Sequence, residues 1–202
     1  MSGSDPRALS RSLRDLCLMR KLTIATAESC TGGLVAGALT DIPGSSDVID
    51  RGFVTYSNDA KRAMLGVKTV TLDSFGAVSK ETATAMAIGA LERAGTDLAV
   101  SITGIAGPGG ATPGKPVGLV HFAVAARDGR LLHRECRFGA IGRSTVRQRS
   151  VIEALRMLME LARGPKPVVK KQTTSQARSR IARAPRRVAV KRRRAAPLKP
   201  KR

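Results

Sequence analysis

Ala27-Glu28-Ser29-Cys30-Thr31-Gly32-Gly33 joins a β-rich run, Leu22–Ala27, to a helix-like segment, Leu34–Leu39. A hydroxyl, a thiol and two glycines therefore sit where a strand hands over to a helix. Such a position concentrates free backbone N–H groups at the positive end of a helix dipole. Ser29 has two readings there. It is either an N-cap hydroxyl for the helix or a nucleophile held against those amides.

The alternation that begins at this turn runs through most of the chain. Upstream, Asp5-Pro6 reads as an N-cap with proline at the first helical position. Leu9, Leu13, Leu16 and Cys17 recur at helical spacing to about Arg20. Downstream of the helix that ends near Thr40, Pro43-Gly44-Ser45-Ser46 is a breaker, and Val48–Tyr56 has the β-branched and aromatic content of a strand. Ser57-Asn58-Asp59 caps a short helix that Gly66 ends. Thr69–Ala77 reads as irregular, and Ser79 opens an Ala-rich helix to Gly95. Asp97–Thr103 is a buried-looking strand followed by the glycine-rich stretch 104–116. Val117–Arg127 and Arg130–Phe138 form a hairpin about Asp128-Gly129. Ser144 is expected to cap a last helix to about Ala162, with an apolar stripe of Val151, Leu155, Leu158 and Met159. Helices alternating with strands, then a hairpin, imply an α/β fold whose mixed sheet is covered on both faces.

The 202 residues contain 42% hydrophobic side chains, enough for a real core, but only 2% aromatics, which nearly excludes base-stacking platforms. The net charge of +21 is uneven. Residues 164–202 hold 15 Lys and Arg and no acid, whereas residues 1–163 hold 21 basic and 15 acidic residues, a balance of +6. A block of one charge sign with little apolar content reads as a disordered basic tail. Either it touches nucleic-acid phosphates non-specifically, or it is a solvated segment that aids solubility or meets acidic partners. Three cysteines, Cys17, Cys30 and Cys136, show no metal-like or paired spacing, which fits a reducing compartment. No secretory signal is expected at Met1–Asp5, and no apolar run reaches membrane-spanning length. The chain is therefore expected to be soluble and cytoplasmic.

A serine nucleophile needs a base. His121 and His133, the only histidines, both fall on the hairpin, with nothing to place them near Ser29. The turn also lacks the G-x-S-x-G of α/β-hydrolases. A Ser–Lys pair remains, and Lys61 is its best address, after a strand end and near a helix start that both disfavour an ammonium. Tyr56, five residues earlier, is placed to relay a proton or orient that lysine. Cys30 is a rival nucleophile or a small packed residue. Glu28 is an acid–base group or a support for the turn. The loop 104–114 is either a cradle for an anion or planar ring or a plain connector, and its length favours function. Thr103 can aim a hydroxyl into the same pocket. Arg143 suits a phosphate or is simply solvated. With no ligand-spaced cluster, neither a metal nor a cofactor is expected.

Six ordered blocks then resemble one family: Thr-Ala-Glu-Ser-Cys-Thr-Gly-Gly (26–33), Pro-Gly-Ser-Ser (43–46), Val-Thr-Tyr-Ser-Asn-Asp-Ala-Lys (54–61), Gly-Ala-Val-Ser (76–79), Thr-Gly-Ile-Ala-Gly-Pro-Gly-Gly (103–110) and Lys-Pro-Val-Gly (115–118). Together they resemble the C-terminal domain of competence/damage-inducible CinA proteins, which also occurs alone as nicotinamide mononucleotide amidase. The resemblance covers about residues 8–162, and it implies a three-layer α/β/α sandwich over residues 1–163 and a homodimer. It also implies hydrolysis of nicotinamide mononucleotide to nicotinate mononucleotide and ammonia in pyridine nucleotide salvage. Ser29 maps onto the family's nucleophile, Lys61 onto its base, Tyr56 onto an assisting tyrosine and Thr103 onto a hydroxyl near the carboxamide. The amides of Thr31, Gly32 and Gly33 are expected to hold the oxyanion. Asn58, Gly104, Gly107, Gly109, Gly110 and Arg143 are expected to contact substrate. Arg51 and Ala111 stand where the family favours glycine, and the basic tail has no counterpart. Nothing here matches the molybdopterin-binding-like domain of full CinA proteins, so no nucleotide pyrophosphatase activity is expected.

Overall fold

The structure is a computed structural model, and it describes residues 5–164. The basic segment assigned to disorder lies, from residue 165 onward, outside the described residues. No helix among them is long and apolar enough to cross a membrane.

Six α-helices and five strands among the described residues keep the expected order, with one helix, over residues 69–75, added to it. They are α1 (Pro6–Arg20), β1 (Ile24–Glu28), α2 (Leu34–Thr40), β2 (Ile49–Val54), α3 (Asn58–Leu65), α4 (Thr69–Phe75), α5 (Lys80–Ala94), β3 (Leu98–Gly104), β4 (Leu119–Ala126), β5 (Leu131–Arg137) and α6 (Arg143–Arg163). The sheet runs β2-β1-β3-β4-β5, with β1 parallel to both neighbours and β4 antiparallel to β3 and β5. Helices α1, α2 and α6 cover one face; α3, α4 and α5 cover the other. The fold is the expected α/β/α sandwich.

The two faces are chemically different. Ile24, Leu98, Val100, Ile102, Val120, Phe122 and Val124 meet α1 and α6 in the main core. The opposite face offers Ala25, Ala27, Ala99, Ala123 and Ala125, together with Ser101, whose hydroxyl donates to the Ala83 carbonyl of α5. Small side chains on the sheet let the Ala-rich α5 lie close to it. The approach continues on the helix's outer side, where a Cβ at Gly89 would stand 2.0 Å from the Leu65 carbonyl oxygen.

Two expectations at element boundaries need correction. Residues 69–75 form helix α4 rather than irregular chain. Its β-branched sequence has weak helix propensity, but Leu72 is buried and Gly76 closes the last turn. Ser144 is not a cap, because α6 begins two residues earlier than expected, after Gly142, with Arg143 as its first residue.

The topology sends many chain ends to one side. Strands β1, β2 and β3 are parallel, and β5 runs the same way across the intervening antiparallel β4. Their four carboxyl ends, at Glu28, Val54, Gly104 and Arg137, therefore share one end of the sheet. The path also reverses there: β1 leads outward to β2, and β2 returns across to β3. Crevices at such switch points are the usual ligand sites of open α/β sheets.

Gly89→Ala tests the close helix contact. Alanine favours a helix by about 1 kcal/mol over glycine, yet overpacking here should cost more, for a net loss of roughly 1–3 kcal/mol. The change would be read from the midpoint of urea unfolding; an unchanged or higher midpoint contradicts the packing described.

Candidate active site

The turn after β1 is built around a buried carboxylate. Glu28 is fully buried, and its two oxygens accept the amides of Gly33 at 3.0 Å, Val35 at 3.1 Å and Ala36 at 2.8 Å. These are first-turn N–H groups of α2, whose N-cap position is Gly33 with no side-chain cap of its own. A carboxylate from the preceding strand thus satisfies orphan donors and meets the positive dipole end. Bringing those amides round requires positive φ at Gly32 (59°) and Gly33 (96°). That conformational demand explains both glycines.

Glu28 therefore does the capping, and Ser29 is released from it. The Ser29 amide donates to the Ile102 carbonyl of β3 at 2.9 Å, and its own carbonyl accepts the Gly32 amide at 3.1 Å. With its backbone held on both sides, Ser29 turns its hydroxyl to Lys61, whose Nζ lies 3.1 Å from Ser29 Oγ. Lys61 is 1% exposed and also donates to the Thr55 carbonyl at 3.0 Å. Burial lowers its pKa below the ordinary lysine range, an effect only partly opposed by the Cys30 thiol. A neutral amine fits both contacts: one N–H donates to Thr55, and the lone pair faces the serine hydroxyl. Ser57 caps α3 through the Ala60 amide, so Lys61 leaves the helix from its first full turn, directly after β2.

Cys30 packs into the main core, and burial pushes its thiol up to about 12. It is not a thiolate nucleophile. His121 and His133 lie on β4 and β5, hydrogen-bonded ring to ring at 3.1 Å, and it is Lys61 that contacts the Ser29 hydroxyl.

The other expected residues are distributed as follows. Tyr56 is 61% exposed, and its hydroxyl accepts from Arg143 Nη2 at 3.0 Å rather than contacting Lys61. Arg143 Nη1 also reaches the Gly107 carbonyl at 3.2 Å, so Tyr56, Arg143 and the glycine-rich loop form one cluster. Thr103, buried at the end of β3, donates to the Ala77 carbonyl at 2.7 Å. Asn58 is exposed at the first position of α3, and Gly109 and Gly110 are exposed in the loop. Gly104 is explained by the sheet, because a Cβ there would stand 2.7 Å from the Leu119 carbonyl oxygen of β4. The amides of Gly32 and Gly33, expected to be free for an oxyanion, are taken by Ser29 and Glu28. Among the described residues, the Thr31 amide is the one of the three that donates to no protein group.

One residue of the site escaped the sequence reading. Arg147, one helical turn after Arg143 on α6, donates to the carbonyls of Cys30 at 3.2 Å and Thr31 at 2.8 Å. The i,i+4 spacing of the two arginines was the available signal.

Both glycine departures are exposed: Arg51 pairs with Asp50, and Ala111 lies in the glycine-rich loop. Next to Arg51, Gly52 is kept where a Cβ would fall 2.9 Å from Thr26 Oγ1. Among the described residues, no three His, Cys, Asp or Glu side chains are placed to hold a metal ion.

Residues 7–162 match the model of the CinA C-terminal domain. The chain belongs to the CinA C-terminal domain family. Nicotinamide-nucleotide amidohydrolase PncC of Escherichia coli K12 is 49% identical over 161 residues, covering 79% of this chain and 96% of that protein. A CinA-like protein of Mycolicibacterium gilvum is 53% identical over 147 residues, which is 73% of this chain but 35% of that one. The chain thus spans about a third of the length of such CinA-like relatives. Among solved structures, competence/damage inducible protein CihA of Agrobacterium tumefaciens superposes with a TM-score of 0.75 at 58% identity, covering 77% of this chain and 94% of that one. A CinA superfamily protein from Escherichia coli gives 0.76 at 35% identity, covering 80% and 92%.

In this CinA-family chain, Glu28→Ala would leave three first-turn amides, that of Val35 buried and those of Gly33 and Ala36 half-buried, without their acceptor. At about 1–3 kcal/mol for each unsatisfied group, the melt should show a loss of roughly 3 kcal/mol or more. A variant as stable as the parent would mean that water or another group caps α2.

Proposed function

We propose that this chain is a nicotinamide-nucleotide amidohydrolase that converts nicotinamide mononucleotide to nicotinate mononucleotide and ammonia, as in pyridine nucleotide salvage. The observation that carries this reading is the buried contact of Lys61 Nζ with Ser29 Oγ. The near full-length match to PncC supports the choice of substrate.

In the first step, neutral Lys61 takes the hydroxyl proton as Ser29 Oγ attacks the carboxamide carbon. The negative charge that develops on the amide oxygen needs a donor. Because the Gly32 and Gly33 amides are engaged within the turn, this role falls to the Thr31 N–H, an interaction worth about 3–4 kcal/mol in the transition state. The ammonium of Lys61 then gives its proton to the departing nitrogen, and ammonia leaves a Ser29 acyl-enzyme. Water activated by the again neutral Lys61 attacks the ester, and the returning proton regenerates Ser29. Thr103 Oγ1, its proton directed at Ala77, offers lone pairs to the carboxamide NH2. Arg143 and the loop around Gly107–Gly110 receive the phosphate and ribose, with Tyr56 bonded to that arginine and Asn58 at the rim. Each proton transfer uses a group of the chain, so the sequence of steps calls for no metal or cofactor.

Ser29→Ala should abolish ammonia release from nicotinamide mononucleotide, and Lys61→Ala should lower it by at least about 10³-fold. Wild-type rates in either variant would refute the dyad. The pH dependence has a definite sign. Lys61 must be neutral to act as base, so kcat/KM should fall as pH drops through its folded pKa, which burial holds below the ordinary lysine range. The unfolded chain binds that proton more tightly, so this group's contribution to stability rises with pH between the folded and unfolded values. A pH–rate profile whose acid limb sits at an unshifted lysine value would contradict the burial of the base.

A further inference from the structure

We propose that Arg147 is a positioning residue for the oxyanion donor, an inference that rests on the amidohydrolase reading above. Its guanidinium bridges two successive carbonyls of the nucleophile turn, with Nε on Cys30 O and Nη2 on Thr31 O. The one cis peptide in the described chain is Gly107–Pro108, so the Cys30–Thr31 peptide is trans. In a planar trans peptide, C=O and N–H point in opposite directions. Holding Cys30 O on the α6 side therefore turns the Thr31 N–H away from the guanidinium. That N–H belongs to the one amide of the three expected donors that no protein group occupies.

The turn needs such a hold, because its other restraints lie elsewhere. Glu28 binds amides from Gly33 onward. The Gly32 amide closes the turn onto Ser29 O, and β3 holds the Ser29 amide. The Thr31 carbonyl also accepts the Leu34 amide at 3.4 Å, whereas among the described residues the Cys30–Thr31 peptide itself is hydrogen-bonded through Arg147 alone. The guanidinium is suited to the task, with several N–H donors in one rigid plane, whereas a lysine ammonium acts as a point charge. Arg147 also shares α6 with Arg143, which grips Tyr56 and Gly107. One helix start thus sets the oxyanion donor with one arginine and the phosphate end of the pocket with the other. Arg147 acts through the backbone and touches no reacting atom.

The test compares Arg147→Ala and Arg147→Lys with the parent enzyme in two ways. Ammonia release from nicotinamide mononucleotide should show kcat reduced by about 10–100-fold in Arg147→Ala, less than the roughly 10²–10³-fold for removing an oxyanion donor outright, because the Thr31 N–H is misplaced rather than lost. KM should stay within about threefold, because Arg143 still holds the phosphate. Arg147→Lys should fall between, and guanidinium ion at millimolar level should restore part of the Arg147→Ala rate. In the second arm, 15N-labelled proteins report the Thr31 amide directly. Its resonance should shift or broaden in Arg147→Ala, while that of Gly33, held by Glu28, keeps its position. A wild-type kcat in both variants, or a Thr31 resonance unchanged in Arg147→Ala, overturns the proposal. So does an equal rise in KM and fall in kcat with no rescue by guanidinium, the result expected of general disruption. If Arg147→Ala does not fold, Arg147→Lys decides by the same two readings. A parent enzyme inactive on nicotinamide mononucleotide would instead overturn the amidohydrolase reading, and the Thr31 resonance would still decide whether Arg147 holds the turn.

Discussion

The carboxylate of Glu28, buried at the end of β1 and surrounded by the first amides of α2, is the constraint on which the rest of the site depends. A charge taken out of water is costly unless hydrogen bonds replace its hydration. Three backbone N–H groups and the helix dipole supply that replacement, and in doing so they lock strand to helix through a five-residue turn. Every peculiarity of the turn follows. Two glycines must adopt positive φ, the next amides are committed, and the serine that might have capped the helix is left with an uncommitted hydroxyl.

That hydroxyl meets a second buried group of opposite preference. Lys61 arrives from the first full turn of α3, dry enough that burial lowers its pKa below the ordinary lysine range, and with one carbonyl to receive an N–H. The pair is brought together by parallel neighbours in the sheet. β1 ends just before Ser29, β2 ends just before Thr55, whose carbonyl holds Lys61, and β3 anchors the Ser29 backbone. Catalytic geometry of this kind needs rigid support on a scale of tenths of an ångström. A parallel sheet buried on both faces is a suitable source of it.

Much of this was legible in residue patterns. Asp5-Pro6, Ser57 and Ser79 mark helix starts, and they do so because their side chains satisfy local amides within three residues. The Asp128-Gly129 turn marks the hairpin for the same local reason. Residues 69–75 were illegible, since β-branched Thr69, Val70 and Thr71 argue against a helix that tertiary burial of Leu72 imposes. The start of α6 was misread by two residues, with Gly142 rather than Ser144 at the cap position. Serine is a good cap by local chemistry, but the observed register makes Arg143 the first helical residue, and it is this Arg143 that reaches Tyr56 and Gly107. Arg147 was passed over because its one local signal, the i,i+4 spacing from Arg143, does not say which carbonyls the guanidinium will meet.

By itself the sequence determined the alternation of strands and helices and the family, and it pointed to a Ser–Lys pair, since each rests on local periodicity, on ordered motifs or on the scarcity of histidine. Only the tertiary structure decided which group caps α2, that Tyr56 turns to Arg143 rather than to Lys61, and which amide of the turn stays free. Those outcomes depend on contacts between residues up to 117 positions apart, as Arg147 is from Cys30. Hydrogen-bond partners at such separation are chosen by the packing of helices on a sheet, and no local pattern encodes them.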